Sequence, residues 1–257
     1  MKIIINADDL GYSIDRNQAI FSLMEHNRIT SATLIANGKA FYDAVKHILN
    51  YSDMSFGIHL TLTEFPSLTQ PNIFFETKLI DDKGFFTDEI LRLHPSLVLK
   101  DAILKEWEQQ FIKIVDHGIP ISHIDSHQHI HTIPWLFTTL KKIQRKFNIR
   151  KVRTTMNWYY RKEYRPSRKL LLNKKVWHFL LRKLYCTNTT NYFTSFRWFL
   201  RSLLDGEIDS RRFSGVVELM CHPGNPQNIE ETELLYSDWM CQFPFNIELI
   251  SYNQLEF

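Results

Sequence analysis

Apolar, β-branched runs alternate with helical stretches along this chain, and the runs end repeatedly on acidic or imidazole side chains. Lys2 to Ala7 reads as a buried strand closing on Asp8-Asp9, and residues 14–27 as a helix with Ser13 as its N-cap. SATLIANG (31–38) and FYDAVKHILN (41–50) repeat the strand-helix pair. In SFGIHLTLTE (55–64), Phe56, Ile58, Leu60 and Leu62 alternate with His59, Thr61 and Thr63, which predicts a strand with one apolar face. Residues 65–95 are rich in turn formers and read as a long excursion before a helix over about 96–117. ISHIDSHQH (121–129) reads as a strand or strand end, 133–148 as a helix and IRKVRTT (149–155) as another strand. SGVVELMCHPG (214–224), an acidic helix over 229–242 and FNIELISYNQL complete the pattern.

Such alternation predicts parallel βαβ units and an α/β fold with its chemistry at strand C-terminal ends. An open sheet offers one crevice there. A barrel gathers several strand ends around one mouth, and Asp8-Asp9, His127 and His222 are ends that need gathering. No linker or repeat divides the 257 residues. The expectation is a single-domain, irregular TIM-like (β/α) barrel over 1–257, with its active site at the strand C-terminal ends.

Cys186, Cys221 and Cys241 are odd in number, widely spaced and free of any CxxC pair, which argues against a disulfide framework or a cysteine zinc knuckle. The chain begins without the pattern of a secretory signal, and no apolar run nears the roughly 20 residues of a membrane span. A cytoplasmic protein is expected. The charge is uneven: residues 150–201 hold fourteen Lys or Arg against one acid, Glu163, a local +13, so with +3 for the whole chain the remainder carries −10. Such a block points to an anionic partner rather than to general affinity for nucleic acid.

Each polar group admits two readings. Two adjacent carboxylates in NADDLG repel each other and lose hydration unless a cation or donors offset it, so one would bind metal while the other serves as base. Asp-Asp-x-Gly is equally acceptable turn chemistry. His59, alone in its strand, needs partners to become more than a hydrogen-bonded histidine. HIDSHQHIH supplies them: His123, Asp125, His127, His129 and His131 would share one strand face, too polar for a barrel interior without metal or substrate. The strand therefore ends near Asp125 or Ser126, leaving His127 at the mouth with His129 and His131 nearby. The His127/His131 spacing fits one helical face, but Gln128 stands where a zincin needs Glu. His222 closes a strand before a Pro-Gly turn and can protonate a leaving amine near neutral pH, or be a plain strand-end histidine. Arg153 can orient a carboxylate or be one more cation in a basic stretch. Cys221 reads as a buried thiol.

Together NADDLG, GIHLTLTE, HIDSHQHIH and ELMCHPG resemble the YdjC-like carbohydrate deacetylases, the family of the chitooligosaccharide deacetylases, in order and approximate spacing. ISYNQL is similar to that family's C-terminal strand. Residues 157–212 carry no signature of it and read as a basic amphipathic insertion. The resemblance implies a (β/α) barrel and one divalent metal held by Asp9, His59 and His127, with zinc, magnesium or manganese as the ion. It implies Asp8 as general base, His222 as general acid and Arg153 as support for the base. His123, Asp125, His129 and His131 are left for support of the ligands or for sugar binding. Gln128 stands where many relatives carry another His and touches no implied ligand.

The activity implied is removal of acetyl from an N-acetylated amino sugar, releasing acetate. A hydrolase of another amide or a phosphoester, or a non-catalytic glycan-binding protein, are the alternatives. SRKLLLNKKVWHFLLRKLY (167–185) spaces Leu172, Val176, Trp177, Leu180, Leu181 and Leu184 at roughly helical intervals among cations. It reads either as a helix lying in an anionic membrane surface, with a lipid-linked or phosphorylated amino sugar as acceptor, or as a core-packed helix with a cationic face. The first reading puts the protein at the inner membrane surface; a homo-oligomer is left open.

Overall fold

The computed structural model describes residues 1–184, 186–207, 215–243 and 246–256. Among the described residues seven parallel strands form one sheet: β1 (Lys2–Leu10), β2 (Ser31–Leu34), β3 (Ser55–Leu60), β4 (Ile124–Ser126), β5 (Tyr192–Ser195), β6 (Val216–Cys221) and β7 (Glu248–Leu249). Their order is β4-β3-β2-β1-β6-β5, with β7 paired to the start of β1. The helices are α1 (Ile14–Glu25), α2 (Phe41–Ile48), α3 (Asn72–Glu76), α4 (Leu97–Val115), α5 (Phe137–Phe147), α6 (Arg168–Lys183), α7 (Phe196–Leu204) and α8 (Ile229–Tyr236). The sheet curls into a half-barrel of TIM-like α/β architecture. Single parallel bridges from Val152 to Ile124, Lys151 to Asn188 and Asn157 to Phe193 continue the curl from β4 towards β5.

Side-chain parity explains both layers of the wall. Ile3, Ile5 and Ala7 of β1 point outward into the main core beneath the helices, where Trp107 and Phe111 of α4 are also buried. Ile4 points inward and packs with Ile250, Tyr252 and Leu255 as an apolar floor. Above it the inward positions turn polar, with Asn6 and Asp8, then Thr33, then His59, paired in register with Asp125; Glu218, paired with Ile4, sets one acid at the level of the floor. The lumen is thus largely apolar at the bottom and increasingly polar towards the strand C-terminal ends.

Several elements differ from the sequence reading. IRKVRTT makes isolated bridges instead of a regular strand, because its backbone bonds first to β4 and then to Asn188. ISYNQL is no strand: Tyr252–Gln254 is a short 3-10 turn held by a capping box between Ser251 and Gln254. It plugs the floor, with the Tyr252 and Asn253 amides donating to Ser31 and Ser55 at the starts of β2 and β3. The acidic helix stops at Tyr236, and a 3-10 turn follows at Trp239–Gln242. The span expected as an insertion, 157–212, contains β5 and α7 as well as α6, and β5 hydrogen-bonds to β6 in the sheet. Its end, 208–212, and Tyr185 of the basic helix lie outside the described residues, as do Ser214 and Phe245 of the late strand and tail.

Candidate active site

The site begins with a defect in β1. Register slips between Ala7 and Leu10, and Asp9 takes a left-handed φ of 66°. Such a bulge re-aims the side chain at the strand end, and Asp tolerates this conformation better than branched residues do. Asp8 keeps the lumen direction of Ile4 and Asn6, whereas Asp9 faces His59 and His127. Gly11 completes the turn at φ 89°, where an added Cβ would meet the Ile35 carbonyl at 3.1 Å.

Behind Asp8 lies a closed charge network. Arg153, buried, donates from Nη1 to Asp8 Oδ2 at 2.7 Å and from Nη2 to Asp8 Oδ1 at 2.6 Å. The same guanidinium reaches Asp125 at 2.8 Å and, through Nε, Glu218 at 2.8 Å. Asn6 adds a bond to Asp8 at 2.9 Å, and the Tyr252 hydroxyl donates to Glu218 at 2.5 Å. Burial opposes ionisation of Asp8, but the Arg153 charge and hydrogen bonds hold it well below the usual carboxylate range. For Glu218 burial wins, and its carboxyl is pushed up to about 7.

In front, Asp9 Oδ1 lies 3.5 Å from His59 Nε2 and 3.1 Å from His127 Nδ1. Arg16 donates to Asp9 Oδ2 and lays its guanidinium 3.8 Å over the Tyr12 ring. Despite burial, the hydrogen bond from His127 and the charge of His59 lower Asp9 to about 2. His59 is held from behind, its Nδ1 2.6 Å from Asp125 Oδ1 and 3.1 Å from the Thr33 hydroxyl, which also donates to Asp125. Burial alone would depress His59, but Asp125, Asp8 and Asp9 raise it to about 9.

The donor set fits a divalent ion. One atom from each of Asp9, His59 and His127 lies within 4.8 Å of the others. With Asp125 on Nδ1, His59 presents Nε2 forward, the arrangement that orients a metal-ligating imidazole. His127 Nε2 has no aligned hydrogen-bond partner among the described residues, although Glu64 Oε2 lies 3.2 Å away. A second grouping, Asp8, His59 and Asp125, also meets the distance limit. There both carboxylates already neutralise Arg153, so the first set is the better cation site.

Asp9 and His127 open into a cavity of about 590 Å³ that His222, Glu64, Tyr12 and Arg16 also line. His222 follows β6, and its amide donates to Glu231, a buried carboxylate on α8, at 2.7 Å. The other three histidines of HIDSHQHIH are drawn away from the cavity. His123 stacks on Tyr252 at 3.6 Å and bonds Asn6 and Ser122. Gly57 makes room for it, since a Cβ there would meet the ring at 2.6 Å. His123 is thus walled off from any sugar. His131 turns back to Ser126 at 2.5 Å, beneath Trp177, and shares no helical face with His127 because Gln128 and His129 both adopt left-handed φ. His129 packs edge-on to Phe193, and burial together with Arg153 pushes it down to about 3. Cys221 is buried, its thiol 3.5 Å from the Asn6 carbonyl.

Some contributors escaped the sequence reading. Thr33 and Glu64 lie inside motifs already noted, and Glu218 is an acid in the middle of an apolar strand, a signal that demands a buried cation. Arg16 lies on the first turn of α1 and gives no signal until the fold brings it to Asp9.

Three comparisons bear on this arrangement. A family model described as "YdjC-like protein" matches residues 2–243. A protein of Halalkalibacterium halodurans named carbohydrate deacetylase is 32% identical over 151 residues, 58% of this chain and 62% of that one. The match to a Brevibacillus brevis protein of the same name covers 58% of either chain, so the chain spans about three fifths of the length of these relatives. A Clostridium beijerinckii carbohydrate deacetylase is 26% identical over 99% of this chain and 100% of its own. The crystal structure of a candidate cellobiose-phosphate cleavage protein from Enterococcus faecalis V583 superposes with a TM-score of 0.74 at 24% identity, covering 100% of this chain and 99% of that one. That likeness speaks to the fold. With nearly its whole length matched by the family model, this chain belongs to the YdjC-like protein family.

Proposed function

We propose that the chain is a metal-dependent hydrolase that removes the acetyl group from an N-acetylated amino sugar and releases acetate. The observation that carries this reading is His59, held at Nδ1 by Asp125 so that Nε2 faces Asp9 beside His127. The naming of relatives as carbohydrate deacetylases supports the same chemistry. Asp9, His59 and His127 would hold the ion; two imidazoles and one carboxylate suit zinc, while magnesium and manganese accept such sets too. When bound, the ion polarises the amide carbonyl and lowers the pKa of a water. Asp8, kept ionised in the resting site by Arg153, would be the proton acceptor, and Arg153 would fix its direction. His222, across the cavity, gives a proton to the departing sugar nitrogen. Asp125 and Thr33 orient His59, and His123, His129 and His131 stiffen the wall behind.

The acceptor is an oligosaccharide or, as the chain's own basic segment favours, a phosphorylated or lipid-linked glycan at the cytoplasmic face of the inner membrane. In support, a cavity of about 990 Å³ next to Asn157 is lined by Arg161, Arg165 and Arg168 with Trp158 and Tyr159. These are groups for an anion and a sugar face. The test is mass spectrometry of N-acetylated oligosaccharides, sugar phosphates and glycolipids after incubation with metal-loaded protein. Loss of one acetyl mass with matching acetate is expected. No acetyl loss from any of them, with metal bound, rejects the reading.

A further inference from the structure

Helix α6 is a long helix that buries very little. Of its sixteen residues only Trp177 and Leu181 are buried. Its inner face is fastened to the barrel by a few specific contacts. Trp177 packs edge-on to His131 and Phe137, His178 bonds the Thr154 hydroxyl at 2.8 Å, and Lys174 reaches Asn157 at 2.5 Å. These partners belong to the turn after β4, the start of α5 and the segment just beyond Arg153, so the helix lies beside the mouth.

The outer face is built differently. Leu172, Val176 and Phe179 recur at helical spacing on one stripe and are 62%, 50% and 59% exposed. Arg168, Lys175 and Arg182 run along one flank, Lys169 and Lys183 continue the stripe at its two ends, and all five are exposed. Among the described residues no acid pairs with these five, and the segment's single acid, Glu163, is taken by Arg201 and Trp198. Packing gains nothing from exposing three large apolar side chains, and a contiguous stripe of them rimmed by charge marks a contact surface.

We propose that the outer face of α6 is an interfacial helix that seats the protein on an anionic lipid membrane. Leu172, Val176 and Phe179 enter the acyl boundary while the five cations meet the headgroup phosphates. A second copy of the chain is a poor occupant, because ten like charges would meet across the interface. A polyanion without an apolar layer would leave the stripe unused. Among the described residues no helix is long and apolar enough to cross a membrane, so the contact is peripheral. The inference stands on the helix and not on the chemistry of the site.

The experiment is co-sedimentation of the full chain with phosphatidylcholine vesicles, with and without phosphatidylglycerol, at low and high salt. Deacetylation of a small soluble N-acetylated sugar is followed in parallel. Binding to the anionic vesicles that weakens with salt is expected, with little on neutral ones. L172Q/F179Q, on exposed positions, should lower partition by about tenfold or more, and K175E by more than the roughly fivefold of one lost cation. Neither should alter soluble-substrate turnover or the thermal transition. Absence of vesicle binding by the wild-type chain, or L172Q/F179Q binding as tightly as wild type, overturns the proposal. Loss of soluble-substrate hydrolysis with vesicle binding intact would count against the enzyme reading alone.

Discussion

Asp8 and Asp9 are adjacent in the chain but belong to two differently built halves of the site. Asp8 faces a buried lumen in which Arg153 touches three carboxylates and each of its partners has a second partner. Asp9 faces a cavity, with two histidines and Arg16 around it and Glu64 half exposed at the rim. The closed half fixes charge and direction, whereas the open half leaves donor atoms available to a ligand. One bulge at the end of β1 makes both from a single dipeptide. In the proposed roles, Asp8 as base and Asp9 as metal ligand would each draw on these opposite surroundings.

The sharpest break falls on the closed half. Arg153→Met leaves Asp8, Asp125 and Glu218 buried without their cation, and an uncompensated buried charge costs about 3–5 kcal/mol. Urea denaturation at neutral pH should show that loss along with lost turnover; a loss under about 1 kcal/mol would mean the lumen is wetter than its burial implies. Asp8→Asn is milder for the fold, because Arg153 keeps Asp125 and Glu218. Deacetylation should fall by about 10²–10⁴-fold while bound metal, read by atomic emission, stays at wild-type level. Metal lost with turnover would merge the two halves into one and reject the division of roles.

How much of this could be read from residues alone differs between the same halves. The alternation of apolar runs and helices marks a parallel α/β fold, and NADDLG, GIHLTLTE, HIDSHQHIH and ELMCHPG mark the strand ends that meet. Legibility fails where the fold, not local pattern, decides. TNTTNYFTS hides β5 because its ladder is short and polar residues surround it, and ISYNQL looks like a strand but is a plug. Histidine density in HIDSHQHIH misleads, since two left-handed residues scatter a face that a regular strand or helix would keep together. Glu218 was readable in principle, because an acid inside VVELMC must find a cation. Arg16 was not: one cation on a helix says nothing of the aspartate it will meet seven residues upstream.

Asp125 links the halves, and its effect should be intermediate. In the metal-free protein His59 titrates at about 9 against an ordinary 6.5, so the stability it contributes is fully present below pH 6.5 and lost as pH rises through about 9. A ligand must also shed that proton, so metal affinity should climb with pH over the same window, with proton release visible by calorimetry in buffers of different ionisation heat. Asp125→Asn should flatten both slopes and, at high pH, weaken metal binding by about 10–100-fold. An unchanged slope would assign the coupled proton to another group.

The smallest effect is expected at the rim. Glu64 reaches 3.2 Å from His127 Nε2, accepts from Gln128 at 2.8 Å and is 45% exposed on its side chain. Solvent competes for both partners, so the pair is worth at most about 1 kcal/mol. Glu64→Gln should therefore shift metal affinity by less than about fivefold, with no change in the pH window set by His59. The direction of the shift is informative. If His127 ligates through Nδ1, Glu64 supports the ring from behind as Asp125 does for His59, and the variant binds metal more weakly. If Nε2 ligates, Glu64 must swing aside on loading, and the variant binds equally or better. A loss above about tenfold would show Glu64 acting with the force of a buried partner. The open half would then be organised as tightly as the closed one, and the contrast between Asp8 and Asp9 would lie in direction alone, not in rigidity.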